Sequence, residues 1–480
     1  MSVDLPEPLK EQMAALHSQG IHSVLTQFTD LHGVAKGKLV PLAHLPDLVA
    51  TGAGFAGPSI WGTGLPRMGA HSEYYGRVLP HSLQALPFMP GVAHAVCDGF
   101  AGGEPLDTCS RQVLKRQVAR LAERGLTLWV GIEPEFFLLK KAADGGWQVG
   151  DAHDTLAKPS YDLKSMHRNQ ALLEDFRATL TQLGFALQQI DHEDATGQYE
   201  INYRHDDALA AADRYQLFKL AAHAVAERHG LVFSCMPKPL AGAPGSGLHF
   251  HLSLTDAQGR AVMAAPATAG STAQPGGQGS GVSGAGEPGA DASAAATAAA
   301  LGLSADGLRF AAGLLHHADA LAALCAPTVN SYKRLAASHS ASGTTWSPVW
   351  KTLGDNNRTC LVRSVAGRLE WRMPDPSCNI YAALAATLAA GLDGMDHPER
   401  PQPTACDEDL YQRLAAGLPM PPALPRDLHA ALDALEADAA LREAVGDAFC
   451  QQFLALKRDE WTAYAQHVSA WELARYADAF

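Results

Sequence analysis

The chain has 480 residues, a hydrophobic fraction of 47%, a charged fraction of 18% and a formal net charge of −13. That is enough chain for two or more units around a large core, and the acidic balance argues against a nucleic-acid or anionic-membrane surface. Eight scattered cysteines without paired short spacing exclude a zinc site or a disulfide framework and suit a reducing cytosol.

With no basic-then-apolar leader and no apolar run long enough to span a bilayer, the expected location is cytoplasmic. Residues 6–19 carry weak helical periodicity, closed by Gly20. Residues 21–28 read as a strand, 30–33 as a turn, and 36–40 as the returning strand of a hairpin. Residues 52–69, rich in Gly and Pro, read as a loop that carries Phe55 and Trp61. Punctuation by Gly102, Gly103 and Pro105 places a domain boundary between 106 and 107. A helix follows, capped by Ser110, striped by Leu114, Val118 and Leu121, and stopped at Gly125. Further helices are expected at 165–183 and 209–229, and strands at 126–130, 185–190 and 231–235, the alternation of an α/β or α+β body. Residues 264–304 are almost entirely Ala, Gly, Ser, Thr, Pro and Gln, and are predicted to be a disordered surface insertion. Helix resumes over 308–324, and the tail from 404 is helical.

The chemistry centres on Gly131-Ile132-Glu133-Pro134-Glu135-Phe136-Phe137. Residues two apart on a strand share a face, about 7 Å apart. Two carboxylates at that distance repel by about 2 kcal/mol at an effective dielectric of about 20, and the apolar neighbours make burial costlier. Pro134 removes a ladder donor, which predicts an edge, a bulge or a strand end. A solvated hairpin explains this segment in isolation; a pair of metal ligands explains it as part of a site. His192-Glu193-Asp194-Ala195-Thr196-Gly197-Gln198-Tyr199-Glu200 adds two glutamates around a turn, in isolation a polar loop. In 247–254, His249, His251 and Ser253 share one face and Leu248, Phe250, Leu252 and Leu254 the other. In 367–373, Arg368, Glu370 and Arg372 oppose Leu369, Trp371 and Met373, which alone would be a salt-bridged surface ladder. Arg334, Arg358 and Arg363 add cations suited to carboxylate and phosphate. Taken together, five glutamates and a histidine match the ligands of two Mg²⁺ or Mn²⁺ ions. Metals with arginines are the equipment of phosphoryl transfer, here without a Walker A or kinase motif.

At these residues the chain resembles the glutamine synthetase family. GIEPEFF, HEDATGQYE, GSGLHFHLS, NSYKR, NNR and GRLEWR stand in the family's order across 131–373. The resemblance implies an α+β fold: a small N-terminal β-grasp domain over 1–106, and over 107–480 a large catalytic domain whose antiparallel sheet is flanked by helices. It implies an active-site funnel between subunits of a ring-shaped homo-oligomer, built from hexameric rings or a dodecamer. By motif, Glu135, Glu193 and Glu200 would hold one metal, and Glu133, His249 and Glu370 the other. Gly245 and Arg334 would position glutamate, with Arg372 at its carboxylate or at phosphate. Arg358 would meet the transferred phosphoryl group, and His251, Ser253, Arg363 and Arg368 would lie along ATP; Glu193, Arg334 and Arg358 are the residues expected to carry catalysis. The implied reaction phosphorylates the γ-carboxylate of glutamate and lets ammonia attack the acyl phosphate. The family's Phe-Asp-Gly-Ser-Ser-Ile reads here Phe55-Ala56-Gly57-Pro58-Ser59-Ile60, and its acidic flap is replaced by 338–346. Both lost acids belong to the ammonium site, which resembles the branch containing type III-like glutamine synthetases and γ-glutamylmethylamide synthetases. Methylamine or another small amine is therefore the alternative nucleophile, with Trp61 or Trp346 as a wall and His339 as a replacement base.

Overall fold

The computed structural model describes residues 7–69, 71–266, 290–337 and 346–480. The helix Glu7–Ser18 stops before Gly20, whose φ of 77° suits a residue without Cβ. Strands β1 (Ser23–Thr29) and β2 (Ala35–Pro41) form the expected hairpin. Then come β3 (Ala53–Ala56), β4 (Glu73–Val78), β5 (Gln84–Ala85), β6 (Val92–Ala101) and β7 (Glu104–Pro105). They make one seven-stranded sheet ordered β2-β1-β6-β4-β3, with β5 and β7 also paired to β6, and β1 parallel to β6. The loop expected over 52–69 is corrected, because β3 pairs with β4 there. The Phe55 ring packs 4.9 Å from Phe28 and 6.0 Å from Tyr74, so aromatic burial overrides the glycines. Val24, Phe28, Leu45, Tyr74 and Ala95 centre a core of their own beneath this sheet.

The second sheet takes β8 (Leu126–Lys141), β9 (Trp147–Val149), β10 (Leu187–His192), β11 (Gln198–Tyr203), β12 (Asp206–Asp207), β13 (Val232–Ser234) and β14 (Leu248–Asp256). It is completed by β15 (Leu353–Asp355), β16 (Val362–Val365) and β17 (Arg368–Trp371). Its main path is β10-β11-β8-β14-β17-β16-β15, antiparallel except for the parallel β15–β16 pair. Leu248, Phe250, Leu252, Leu254, Leu369 and Trp371 are fully buried. They belong to the core that also contains the helices Ser110–Ala122, Ala208–Arg228, Ala305–His316 and Ile380–Asp396. The alternation that buries these residues turns the polar residues of the same strands to the opposite face. Arg111, on the helix Ser110–Ala122, ties β6 of the first sheet to the helix Ala208–Arg228, donating from Nε and Nη2 to Asp213 at 2.9 Å and from Nη1 to Asp98.

Two local expectations are corrected. Pro134 lies inside a sixteen-residue central strand rather than at an edge or strand end. It faces Leu248, the first residue of β14, whose N–H donates instead to Pro374 O at 2.9 Å. The ladder to β14 runs on past it, with Glu135 N donating to Gly247 O at 3.2 Å, whereas pairing with β11 ends at Glu135 opposite Glu200, so the missing proline donor falls just beyond the end of the β11 ladder. The insertion is also narrower than 264–304. Ala290–Ala300 is a helix, Ala298, Leu301 and Leu303 are buried, and Ser364 Oγ donates to Leu301 O at 2.5 Å. An alanine-rich composition does not separate a disordered tract from a good helix former. Residues 267–289 lie outside the described residues.

Candidate active site

A cavity of about 700 Å³ opens over the polar face of the large sheet. Every residue predicted for metal, glutamate, nucleotide or catalysis lines it except Ser253, which the structure places off its wall. Ser253 pairs with Trp129 two residues beyond His251, about 7 Å further along the strand. Strand pairing builds the site in two halves.

On β10, β11 and β8 the register sets Asp191 opposite Glu200 and Glu200 opposite Glu135, a row of three carboxylates on neighbouring strands. Like charges placed directly opposite destabilise a sheet. Glu193 follows two residues after Asp191, and one oxygen from each of Asp191, Glu193 and Glu200 lies within 4.8 Å of the others. Burial first, then the Glu135 charge, pushes Glu193 well above the usual carboxylate range. Burial and then Glu193 do the same to Glu200, and burial followed by Glu133 and Glu135 lifts Asp191 to about 6. Among the described residues, no lysine or arginine forms an ion pair with Asp191, Glu193, Glu200 or Glu135.

Hydrogen bonds fix these acids. Gln198 Nε2 and Gly247 N donate to Glu135 Oε2 at 3.0 and 2.9 Å. Asn202 Nδ2 donates to Glu200 Oε1 at 2.6 Å, and Asp194 N to Glu193 Oε2 at 3.0 Å. Behind the row, the fully buried His192 bridges Asp154 Oδ2 (Nε2, 2.7 Å) and Glu193 O (Nδ1, 2.8 Å), pinning the backbone that presents Glu193.

The other half stands on β8, β14, β17 and β16. The register pairs His249 with Glu133, His251 with Glu370, and Glu370 with Arg363. His249 Nδ1 lies 3.5 Å from Glu133 Oε2 and 3.6 Å from Glu370 Oε1, and its Nε2 is 3.9 Å from Glu135 Oε1. His251 Nε2 is 2.7 Å from Glu133 Oε1, so His251, expected along the nucleotide, also joins Glu133 and Glu370 as a close donor group. Arg372 Nη1 and Arg363 Nη1 donate to the two oxygens of Glu370 at 2.7 and 2.5 Å. Burial alone would raise both acids here. His249 and His251 instead hold Glu133 far below its usual value. Arg372 and then His249, His251 and Arg363 hold Glu370 at about 2.

The remaining arginines rim the cavity. Arg334 is buried, and donates to Met373 O and Arg372 O at 2.8 and 3.0 Å. Arg368 Nε donates to His251 Nδ1 at 3.1 Å. The Arg358 guanidinium lies 5.9 Å from the Trp346 ring centre. Trp346 lines the cavity as expected, whereas Trp61 and Ala56 are not on its wall in their own chain. Trp61 is 61% exposed and meets His32 edge-on. His339 and residues 338–345 lie outside the described residues.

The donor set fits divalent cations, since oxygens and imidazole nitrogens gather in two groups and one group has no cation of the chain's own. Sequence reasoning missed Asp191, because the strand expected over 185–190 stops one residue short of it while β10 runs on to His192. It also missed Asp154, which sits far away in sequence, and Tyr161, which lines the cavity with a φ of 63°. A tyrosine in the left-handed region costs about 1–3 kcal/mol, a strain that cannot be seen in a string of letters.

The family model of the glutamine synthetase catalytic domain matches residues 107–276 and 288–476. The chain is 42% identical to glutamate–methylamine ligase of Methyloversatilis universalis, covering 98% of this chain and 99% of that protein. It is 38% identical to glutamine synthetase of Rhizobium leguminosarum bv. phaseoli, covering 96% and 97%. Among solved structures, a GmaS/ADP complex superposes with a TM-score of 0.84 at 38% identity, covering 98% of this chain and 99% of that one.

Proposed function

The chain belongs to the glutamine synthetase family of ATP-dependent ligases, and from that premise we propose that it joins the γ-carboxylate of glutamate to methylamine. This replaces ammonia, the nucleophile favoured by family resemblance. The observation that carries the reading is the 42% identity, end to end, with a glutamate–methylamine ligase. The physical chemistry agrees. A carboxylate 4 Å from an ammonium is worth up to about 4 kcal/mol at an effective dielectric of about 20. Position 56 offers alanine instead. One buried methyl returns about 0.8 kcal/mol, and Trp346 supplies an apolar wall.

In this reading Arg334 and Gly245 orient glutamate, and Arg372 faces its carboxylate or a phosphate. His251, Arg363 and Arg368 follow the nucleotide; Ser253 is not retained. The γ-phosphoryl group passes from ATP to the glutamate side-chain carboxylate while Arg358 faces its developing charge. The amine nitrogen then attacks the acyl carbon, the bond to phosphate breaks, and the amine's proton leaves. Glu135, Glu193 and Glu200 would hold one divalent ion and Glu133, His249 and Glu370 the other. When bound, Mg²⁺ or Mn²⁺ supplies neutralisation of phosphate charge. Ala56 and Trp61 lie away from their own cavity, which supports a ring-shaped homo-oligomer in which a neighbouring subunit brings this segment to the site.

The test is kcat/KM for methylamine and ammonia on one preparation at one pH, with the product masses identified. Methylamine is expected to win. A higher kcat/KM for ammonia would overturn the choice of amine and leave the ligase class standing.

A further inference from the structure

The acid row holds one carboxylate more than the reading above assigns. Asp191 lies opposite Glu200 in the β10–β11 register, two residues before Glu193, which follows the end of β10. One of its oxygens lies within 4.8 Å of an oxygen of each of those two acids. Its Oδ1 is buried and has no hydrogen-bond partner among the described residues. Glu135 stands differently. Its Oε2 is occupied by Gln198 Nε2 and Gly247 N, and its Oε1 turns toward His249, 3.9 Å away.

We propose that Asp191 is an additional direct ligand of the divalent ion at the acid row, beside Glu135, Glu193 and Glu200. The inference rests on the two-ion reading above. It accounts for a buried acceptor without a donor and for acids stacked opposite one another without a cation. A divalent ion takes several carboxylate oxygens at once, which an incoming monovalent alkylammonium does not require.

The experiment counts Mn²⁺ bound to the purified full-length protein, using the electron paramagnetic resonance of the free ion, for wild type, Asp191→Asn and Asp191→Glu. The wild type is expected to bind two ions per chain. D191N should weaken one of them by about tenfold or more, the scale seen when groups supporting a metal are removed, and D191E should recover most of that loss. D191N should also melt no lower than wild type without metal, and gain less on adding Mn²⁺. Should D191N fail to fold, Asp191→Ser is measured in its place. Wild-type affinity at both sites in D191N overturns the proposal, and does so equally if the variant instead raises KM for methylamine. A wild type that binds fewer than two ions overturns the two-ion reading itself, and this inference with it.

Discussion

Glu200 and Glu370 stand on the same face of the same sheet, 7% and 1% exposed, and their carboxyls are shifted in opposite directions. Burial pushes both upward. Glu370 meets Arg372, Arg363 and two histidines, and ends at about 2. Glu200 meets Glu193, Glu135 and Glu133, and ends far above its ordinary value. Position in the fold therefore does not set charge; the neighbours across the strands do. One half of the site carries its own counter-charges, and the other is left for protons or ions.

The largest expected effect comes from Arg358, which lines the cavity. Arg358→Ala should lower kcat by about 10³-fold, near the low end for an arginine at a transferring phosphoryl group, with little change in ATP affinity. Initial rates and nucleotide titration check this, and an unchanged kcat would remove Arg358 from the chemistry.

The next effect separates the halves directly. Glu370→Ala leaves the buried Arg372 and the half-buried Arg363 without their acid, and should cost about 3–5 kcal/mol with or without metal. Glu200→Gln removes repulsion, and in metal-free protein should cost nothing or stabilise slightly. Urea unfolding of both variants measures the contrast; equal losses would erase the distinction. Mn²⁺ at about 100 times its dissociation constant should stabilise the wild type by about 2.7 kcal/mol per site. Glu200→Gln should lose much of that gain, which a thermal melt with and without Mn²⁺ reads.

The smallest effect concerns the insertion. Deleting 268–288 should change stability by less than about 1 kcal/mol, since loop-closure entropy varies slowly with length. Deleting 266–302 removes the buried Ala298 and Leu301 and the acceptor of Ser364 on β16, the strand that carries Arg363. That variant should damage the arginine half and spare Mn²⁺ binding at the acid row, as activity and Mn²⁺ titration would report.

The metal-ligand candidates were legible because strand alternation forces Glu133 with Glu135, and His249 with His251, onto shared faces, and short motifs carry those pairs. The halves were not legible, because they arise from register. Nothing in the segment around Glu200 states that Glu135 and Asp191 flank it on adjacent strands. The course of β8 through Pro134 was missed for the same reason, since the proline falls just beyond the point where β11 stops pairing with β8. Ala290–Ala300 was missed because its order comes from Ala298, Leu301 and Leu303 docking into the core, which composition alone does not reveal.

The most direct test of the divided site is the pH dependence of stability, measured by urea unfolding between about pH 5 and pH 8, with and without Mn²⁺. Asp191, Glu193 and Glu200 have raised folded values, so their contribution is present below their unfolded values of 3.8 and 4.5. It is lost as pH rises through about 6 for Asp191 and through the raised folded values of the other two. Glu370 is depressed, so its contribution is full above 4.5 and lost only toward about 2, outside this window. The expected result is a metal-free stability that falls as pH rises, and a fall that saturating Mn²⁺ abolishes. A metal-free stability that is flat or rising over that range, and indifferent to Mn²⁺, would contradict it.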